Sequence, residues 1–172
     1  MRSRIWYTIT TNQEVYMTNE TVQLERIGNL LDKYLVSFGK ARAGFYVFPS
    51  LENYYDFTRY MNALTSALKR ANFRPVYSWS FDGSRGCYNM IMIVQGYFRN
   101  NMNDVTDAIQ RIWKLYSPFP VQYIAESPIS QESLAQDKQR LWEIMNGMQF
   151  TSALSQRVLP LHQRAFACSK LY

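Results

Sequence analysis

The order of strand-like and helix-like stretches between residues 43 and 125 constrains the fold more than any other feature of this sequence. Four short stretches are rich in aromatic and branched apolar residues and lie next to Gly, Pro or polar turns, which predicts strands. Two longer stretches repeat apolar residues at steps of three and four, which predicts helices that bury one face. The order along the chain is strand, helix, strand, strand, helix, strand. The predicted strands are "AGFYVF", "VYSWSF", "CYNMIMIV" and "VQYIA".

This order predicts an α+β fold with a ferredoxin-like βαββαβ core over about residues 43–126. In the usual strand order of that fold, the third strand lies in the middle of the sheet. Because side chains alternate along a strand, the third strand presents two different faces. One face holds Cys87, Asn89, Ile91 and Ile93, and the other holds Tyr88, Met90, Met92 and Val94.

Two further helices and a basic tail are predicted outside this core. Apolar spacing predicts an N-terminal helix over about residues 21–38, with Gly39 as its C-cap. Similar spacing predicts a C-terminal helix over about residues 131–146, followed by a basic tail, residues 147–172. We therefore expect a single domain that spans residues 1–172.

The composition favours a folded protein and argues against several kinds of site. Of the 172 residues, 47% are hydrophobic and 16% aromatic, which is enough to form a core. The N-terminal segment has only a short apolar patch, so we expect no signal peptide, no membrane span and a cytoplasmic location. The two cysteines, Cys87 and Cys168, have no CxxC spacing and are expected to be thiols. Because His162 is the single histidine, we expect neither a zinc site nor another cofactor.

The formal net charge of +6 favours a polyanionic partner, because a protein that neutralises phosphates releases their condensed counterions. The 19 Lys and Arg residues are spread along the chain, however, so charge alone is weak evidence and favours an ordinary basic protein over a nucleic-acid-binding one. A nucleic-acid partner therefore needs support from particular side chains.

Two classes of nucleic-acid-binding protein use the central strand of a ferredoxin-like fold. An RNA recognition module places exposed aromatic rings there, after a Lys or Arg and a Gly. Arg85 and Gly86 fit that beginning, but Cys87 and Asn89 occupy the positions that the rings would need. The HUH endonucleases of rolling-circle replication instead hold a divalent metal with two His separated by one hydrophobic residue, and a Tyr on a later helix attacks the phosphate. Cys87, Tyr88 and Asn89 have that outline, with both His replaced.

Three separated segments resemble one HUH family. "RPVYSWSFDGSRGCYNMIMIVQGYF" resembles the central segment of the YagK/YfjJ family, also called the inovirus gene-two replication protein family. "GFYVFPS" with the helix after it resembles the first core strand and helix of that family, and "LPLHQRAFACSKLY" resembles its closing segment. The resemblance covers about residues 43–172 and implies a replication initiator-like protein of a phage, prophage or satellite.

The resemblance also implies that the family's catalytic groups are missing. Its two metal-binding His fall on Cys87 and Asn89, and a segment that could supply a third ligand falls on residues 80–82. Its nucleophilic Tyr falls on Ala153. An amide oxygen and a thiol are poor ligands for magnesium or manganese, and Ala cannot attack a phosphate. We therefore expect a scaffold that no longer catalyses strand cleavage.

Both strand positions also have an ordinary structural explanation. Cys87 is typical of a small buried apolar residue. Strands disfavour Asn, so the amide of Asn89 is either satisfied by a neighbour or faces an open groove.

Aromatic and basic residues near the predicted hairpin and in the tail are candidates for binding nucleic acid. Trp79 and Tyr88 are candidates for stacking on bases, and the alternative is that they belong to the core. The basic residues are candidates for phosphate contacts, and the alternative is a solvated rim or, for the tail, a strap across the sheet. These basic candidates are Arg74, Arg85, Arg99, Arg157, Arg164 and Lys170.

We expect a catalytically inactive HUH-like protein that binds nucleic acid in replication control or regulation. DNA is favoured over RNA, and single-stranded or hairpin DNA over duplex. The first alternative is a protein-interaction module of a mobile element that modulates a host defence or replication complex. The second alternative is a residual metal-dependent nickase. The oligomeric state is left open by the sequence.

Overall fold

The computed structural model describes residues 12–51, 54–96, 102–148 and 166–169. These residues form helices on both sides of one sheet. The helices are α1 (Asn12–Phe38), α2 (Tyr54–Arg70), α3 (Met102–Trp113) and α4 (Leu134–Gly147). The strands are β1 (Lys40–Pro49), β2 (Val76–Asp82), β3 (Cys87–Gln95), β4 (Gln122–Ser130) and β5 (Phe166–Cys168).

The strands form one antiparallel sheet in the order β4-β1-β3-β2-β5. The first four strands, with α2 and α3, have the βαββαβ order, so the predicted α+β class and ferredoxin-like core are confirmed. β3 pairs with β1 on one side and β2 on the other, and all of its residues are buried. The prediction that this strand is central is therefore confirmed.

Each face of the sheet packs against a pair of helices, which gives the domain three layers. On one face, Tyr88, Met90 and Met92 of β3 belong to a core that includes the apolar sides of α2 and α3. On the other face, Ile91 and Ile93 belong to a second core that includes α1 and α4. We call this second surface of the sheet the α1/α4 face. The alternation predicted for β3 is thus confirmed.

Three elements are longer than the sequence predicted. β1 begins at Lys40 and ends at Pro49, beyond both ends of the predicted "AGFYVF". α1 begins at Asn12, well before residue 21. It ends as predicted, because the Gly39 N–H donates to the Leu35 carbonyl over 2.7 Å with Gly39 at a φ of +77°. β4 continues to Ser130 through Pro128, which an edge strand tolerates because one side of its backbone needs no partner.

The end of the chain adds a short edge strand that the sequence did not predict. β5 pairs with β2, and Ser169 continues the contact with hydrogen bonds to Tyr77. Residues 166–169 thus extend the sheet at the edge beside β2 and do not cross it as a strap would. None of the helices within the described ranges is both long and apolar enough to cross a membrane.

Candidate functional site

Cys87 and Asn89, which the sequence resemblance aligns with metal-binding His, lie side by side on the α1/α4 face of β3. Cys87 is 8% exposed and Asn89 is fully buried. Across the strand pair, Cys87 is opposite Asp82 and Asn89 is opposite Ser80. The segment 80–82, which could have supplied a third ligand, therefore does lie beside them.

The chemistry of these side chains is not that of a metal centre. Burial raises the pKa of the Cys87 thiol; the nearby Arg85 charge acts in the opposite direction and Asp82 adds to the increase. A protonated thiol is a poor nucleophile and a poor ligand. The Asn89 amide is neutral, and its oxygen and nitrogen have no hydrogen-bond partner in the described ranges.

Asp82 is buried, and both of its carboxylate oxygens accept hydrogen bonds from the turn between β2 and β3. Its Oδ1 accepts hydrogen bonds from the Ser84 N–H (3.0 Å), the Ser84 hydroxyl (2.8 Å) and the Arg85 N–H (3.2 Å). Its Oδ2 accepts one from the Arg85 guanidinium. Burial alone would raise the pKa of Asp82, but these hydrogen bonds outweigh it and hold the pKa below the ordinary value. The carboxylate is therefore committed to the turn.

Arg85, predicted as a phosphate contact, has a structural role that the sequence did not indicate. Besides pairing with Asp82, its Nη2 donates to the Met148 carbonyl over 2.6 Å. This bond ties the residue after α4 to the β2–β3 turn. Its side chain is still 42% exposed.

The structure corrects the prediction that Trp79 and Tyr88 stack on bases. Each is 3% exposed and lies in the core against α2. The Tyr88 ring stacks on Phe57 at 3.9 Å between centroids, and Trp79 meets Phe57 edge-on at 5.1 Å. Helix packing therefore occupies the ring faces that a base would need. Periodicity placed Tyr88 on the same face of β3 as Met90 and Met92, but it did not show that α2 covers that face.

Of the remaining predicted contacts, only Arg74 can be located, and it is exposed just before β2. Arg99, Arg157, Arg164, Lys170 and the Ala153 position of the family's nucleophile lie outside the described residues.

The structure groups Arg74 with other exposed cations at one end of the sheet. This is the end where β1 starts, β3 ends, and both α1 and α2 finish. In the part of the chain that the structure describes, none of these cations forms an ion pair. We call this group the cationic end; it consists of Lys33, Lys40, Lys69, Arg70 and Arg74.

A network of neutral hydrogen bonds fixes the backbone of the cationic end. The Gln95 side chain accepts from the Arg74 N–H and donates to the Asn72 carbonyl, both over 2.7 Å. The Tyr34 hydroxyl of α1 donates to the Arg74 carbonyl. The Gly96 N–H donates to the Lys40 carbonyl over 2.9 Å. The cations thus project from a rigid frame, with their side chains free of these bonds.

An open cleft of about 1300 Å³ lies at the same end, between the end of α1 and the start of α4. Phe38, Lys40 and Arg42 line it together with Glu132, so it carries both charges. Its size is above the usual range for a closed small-molecule pocket.

Exposed apolar side chains mark a second surface, at the other end of α3. Large exposed apolar residues are concentrated between residues 115 and 124, which we call the apolar stretch. They are Leu115 (81% exposed), Phe119 (66%), Tyr123 (42%) and Ile124 (36%). Sequence reasoning missed this surface, since its residues follow a helix and precede a strand and resemble a buried connection.

Across the described ranges, no three His, Cys, Asp or Glu side chains converge as metal ligands would. No family model, curated protein or solved structure matches the chain. Its function therefore has to be inferred from its own side chains.

Proposed function

We propose that this protein binds nucleic acid without cutting it, with single-stranded or hairpin DNA as the preferred ligand, in replication control or regulation of a mobile element. The observation that supports this most directly is the cationic end: five exposed cations, none of them in an ion pair with another described residue, on one rigid edge. A phosphate backbone is the ligand that such a surface favours.

The arrangement supports contacts to phosphates rather than to bases. Lys69, Arg70 and Arg74 flank the turn that connects α2 to β2, and Lys40 lies across the sheet end from them. None of them forms an ion pair with another described residue, so each phosphate contact would release counterions. Binding of this kind positions a strand and carries little sequence information.

The absence of cleavage is supported by the groups at the family's catalytic positions. Cys87 is a buried thiol with a raised pKa, Asn89 is a buried neutral amide, and Asp82 is held by Arg85 and Ser84. None of these offers the exposed imidazole or carboxylate that would hold a divalent metal.

The test is fluorescence anisotropy with a labelled oligothymidylate of about 20 nucleotides at low salt. The cationic-end variant, Lys69→Gln with Arg70→Gln and Arg74→Gln, should bind at least about tenfold more weakly, because three phosphate contacts are lost. The matched control removes three other exposed cations, Arg59, Arg111 and Lys114, by the same change to Gln.

This control should lose less than about threefold in affinity, because net charge contributes only a long-range term. Equal losses in both variants would show that binding depends on net charge alone. Failure of the unmodified protein to bind DNA or RNA at low salt would overturn the proposal.

The apolar stretch favours a second candidate function, docking to a protein of a host defence or replication complex. Leu115 and Phe119 are more exposed than core-type residues usually are, and a cluster of exposed apolar side chains is typical of protein interfaces. β4 is the adjacent edge strand, but Pro128 and the irregular register near Tyr46 disfavour strand addition. Side chains would therefore make the contact.

A Leu115→Ser, Phe119→Ser variant separates the two functions. Under the second candidate, a stoichiometric protein partner retained by the unmodified chain in a pull-down is lost, while affinity for oligothymidylate is unchanged. If the variant keeps the partner, or if no stoichiometric partner is found, the second candidate is rejected.

A further inference from the structure

Two buried amides make no hydrogen bond within the described part of the chain. Asn89 of β3 and Gln23 of α1 are both fully buried, and the oxygen and nitrogen of each side chain have no partner among the described residues. Buried amides are normally hydrogen-bonded, because losing water without compensation is costly. Two such groups in one small domain require an explanation.

Both amides belong to the interface between α1 and the sheet. The Tyr34 hydroxyl binds the Arg74 carbonyl just before β2, which fixes the end of α1. Burial raises the pKa of the Cys168 thiol, and the positive charge of Arg26 acts against that increase, so Arg26 lies near Cys168. Cys168 is paired with Ser78 of β2. α1 therefore runs antiparallel to β2.

The spacing along these two elements places Gln23 over Asn89. Tyr34 and Arg26 are about 12 Å apart along a helix, which matches the distance of about 13 Å from Arg74 to Ser78 along a strand. Gln23 lies about 4.5 Å beyond Arg26, at the level of the next inward-facing residue of β2. That residue is Ser80, the partner of Asn89.

The two parts of α1 are held very differently. Toward its end, Leu31, Tyr34 and Leu35 are buried in the second core, and Asp32 pairs with Lys138 of α4 at 2.8 Å. Around Gln23, Ile27 is buried in the second core and Leu24 packs partly against it, but the helix also covers amides that lack hydrogen-bond partners among the described residues. Water would satisfy these atoms if this part of the helix moved away.

Gly28 separates the two parts. Glycine is among the weakest helix formers, so the helix is easiest to interrupt there. A Cβ at this position would meet only the Lys138 Nζ at 3.8 Å, an ordinary contact. Close packing therefore does not require the glycine, and its effect on the helix is the simpler explanation.

We propose that residues 12–28 of α1 form a displaceable cap that opens about Gly28 and exposes the polar strip of β2 and β3 beneath it. The strip includes Ser80 and Asn89, with Cys87 two positions further along β3. Opening exposes the Gln23 and Asn89 amides to water. The later part of α1 stays in place through the Asp32–Lys138 ion pair with α4 and the Tyr34 hydrogen bond to the Arg74 carbonyl. This device goes beyond the proposed binding at the cationic end and does not depend on it.

The test is the rate at which a thiol reagent labels Cys87 in a Cys168→Ser background, at constant pH and at urea concentrations below the unfolding transition. Local opening predicts labelling faster than global unfolding, at a rate almost independent of urea. Gln23→Leu removes one orphaned amide and should slow labelling at least about tenfold. Gly28→Ala should slow it about fivefold, the equivalent of the difference in helix propensity.

The matched control is Gln136→Leu, the same substitution on the exposed side of α4, which should leave the rate unchanged. A rate that rises with urea along the slope of global unfolding, unaffected by Gln23→Leu and Gly28→Ala, would overturn the cap. A lower global stability of Gln23→Leu would also overturn it, because that amide would then have a partner in solution.

Discussion

Asp82 is a carboxylate that the sequence offered as a possible metal ligand, but both of its oxygens accept hydrogen bonds from residues of the β2–β3 turn. Its side chain is buried, and hydrogen bonds from Ser84 and Arg85 keep its pKa below the ordinary value despite burial. A group with a lowered pKa in the folded state stabilises the fold above its unfolded pKa. This contribution is lost as the pH falls through the folded value.

We expect Asp82→Asn to lower the free energy of unfolding by about 1–3 kcal/mol at pH 7, since a charged hydrogen-bond acceptor is removed from a buried site. The difference from the unmodified chain should shrink as the pH falls below the ordinary Asp pKa of about 4, because protonation of Asp82 in the unfolded chain then offsets its contribution to stability. Urea unfolding at pH 7 and pH 3 measures both effects.

The control for Asp82→Asn is Asp56→Asn, because Asp56 and Arg59 form the same i,i+3 pair on the surface of α2. We expect a loss below about 1 kcal/mol for it. If the difference in the free energy of unfolding between wild type and Asp82→Asn is the same at both pH values, the role given to this carboxylate is contradicted.

Gly44 is required by a close approach between β1 and α3. A Cβ there would clash with the Met102 Cε and would lie 2.8 Å from the Tyr46 ring, whose hydroxyl is hydrogen-bonded to Thr106. We expect Gly44→Ala to destabilise the fold by about 1–3 kcal/mol, and by less when Met102→Ala is also present. Thermal or urea unfolding of the four proteins of this cycle measures the coupling.

The comparison for Gly44→Ala is Gly147→Ala, where a Cβ meets nothing within 4 Å. It should be neutral or slightly stabilising, since Ala favours a helix. Equal effects of the two substitutions, or an undiminished loss in the Met102→Ala background, would contradict the close approach.

Individual residues were predictable from the sequence to different degrees. The alternation along β3 correctly placed Cys87 and Asn89 together on one face, because the period of a strand is a local property. The burial of Trp79 and Tyr88 was not predictable in the same way, because it depends on which helix covers that face. The partners of Arg85 and Asp82 depend on a turn geometry that composition does not determine.

β5 is a three-residue strand whose stability depends on one hydroxyl group. The Ser169 Oγ accepts from the Tyr77 N–H over 2.7 Å and donates to the Tyr77 carbonyl over 3.1 Å. We expect Ser169→Ala to cost about 1–2 kcal/mol and to speed hydrogen exchange at the β2 amides that face β5. Hydrogen-exchange mass spectrometry of β2 peptides measures this.

Ser50→Ala is the matched control for Ser169→Ala, because the exposed Ser50 hydroxyl makes only a long bond of 3.3 Å to the next carbonyl. It should leave exchange in β2 unchanged. If Ser169→Ala also leaves hydrogen exchange in β2 unchanged, the Ser169 hydroxyl does not hold β5 against β2.

The elements of the core were predictable, whereas their extensions were not. Periods of 2 and 3.6 identify strands and helices inside the core because each buries a continuous face. The extension of β4 past Pro128 depends on its position at the edge of the sheet, and β5 exists only because β2 offers an open edge. The β4 extension and β5 both depend on the order of strands in the sheet, which local sequence patterns do not determine.

The fold as a whole is a three-layer domain with its two candidate interaction surfaces at opposite ends. The cationic end lies where β1 begins, and the apolar stretch runs from the end of α3 into the start of β4. The α+β class could be predicted from the sequence, and the net charge follows from its composition. Because the basic residues are spread along the chain, the sequence did not indicate that five of them lie at one edge of the fold. The packing of α1 and α4 over the second face was equally unpredictable, because their apolar stripes do not specify a partner.

The most direct test of the central claim is the salt dependence of DNA binding, measured for the unmodified protein and for the cationic-end variant. A log–log plot of the association constant against salt concentration should be linear and steep for the unmodified protein. For a single strand, the loss of three phosphate contacts should reduce its slope by about 2 in the variant. Identical slopes for the two proteins, or no binding by the unmodified protein at low salt, would contradict the claim that this edge binds a phosphate backbone.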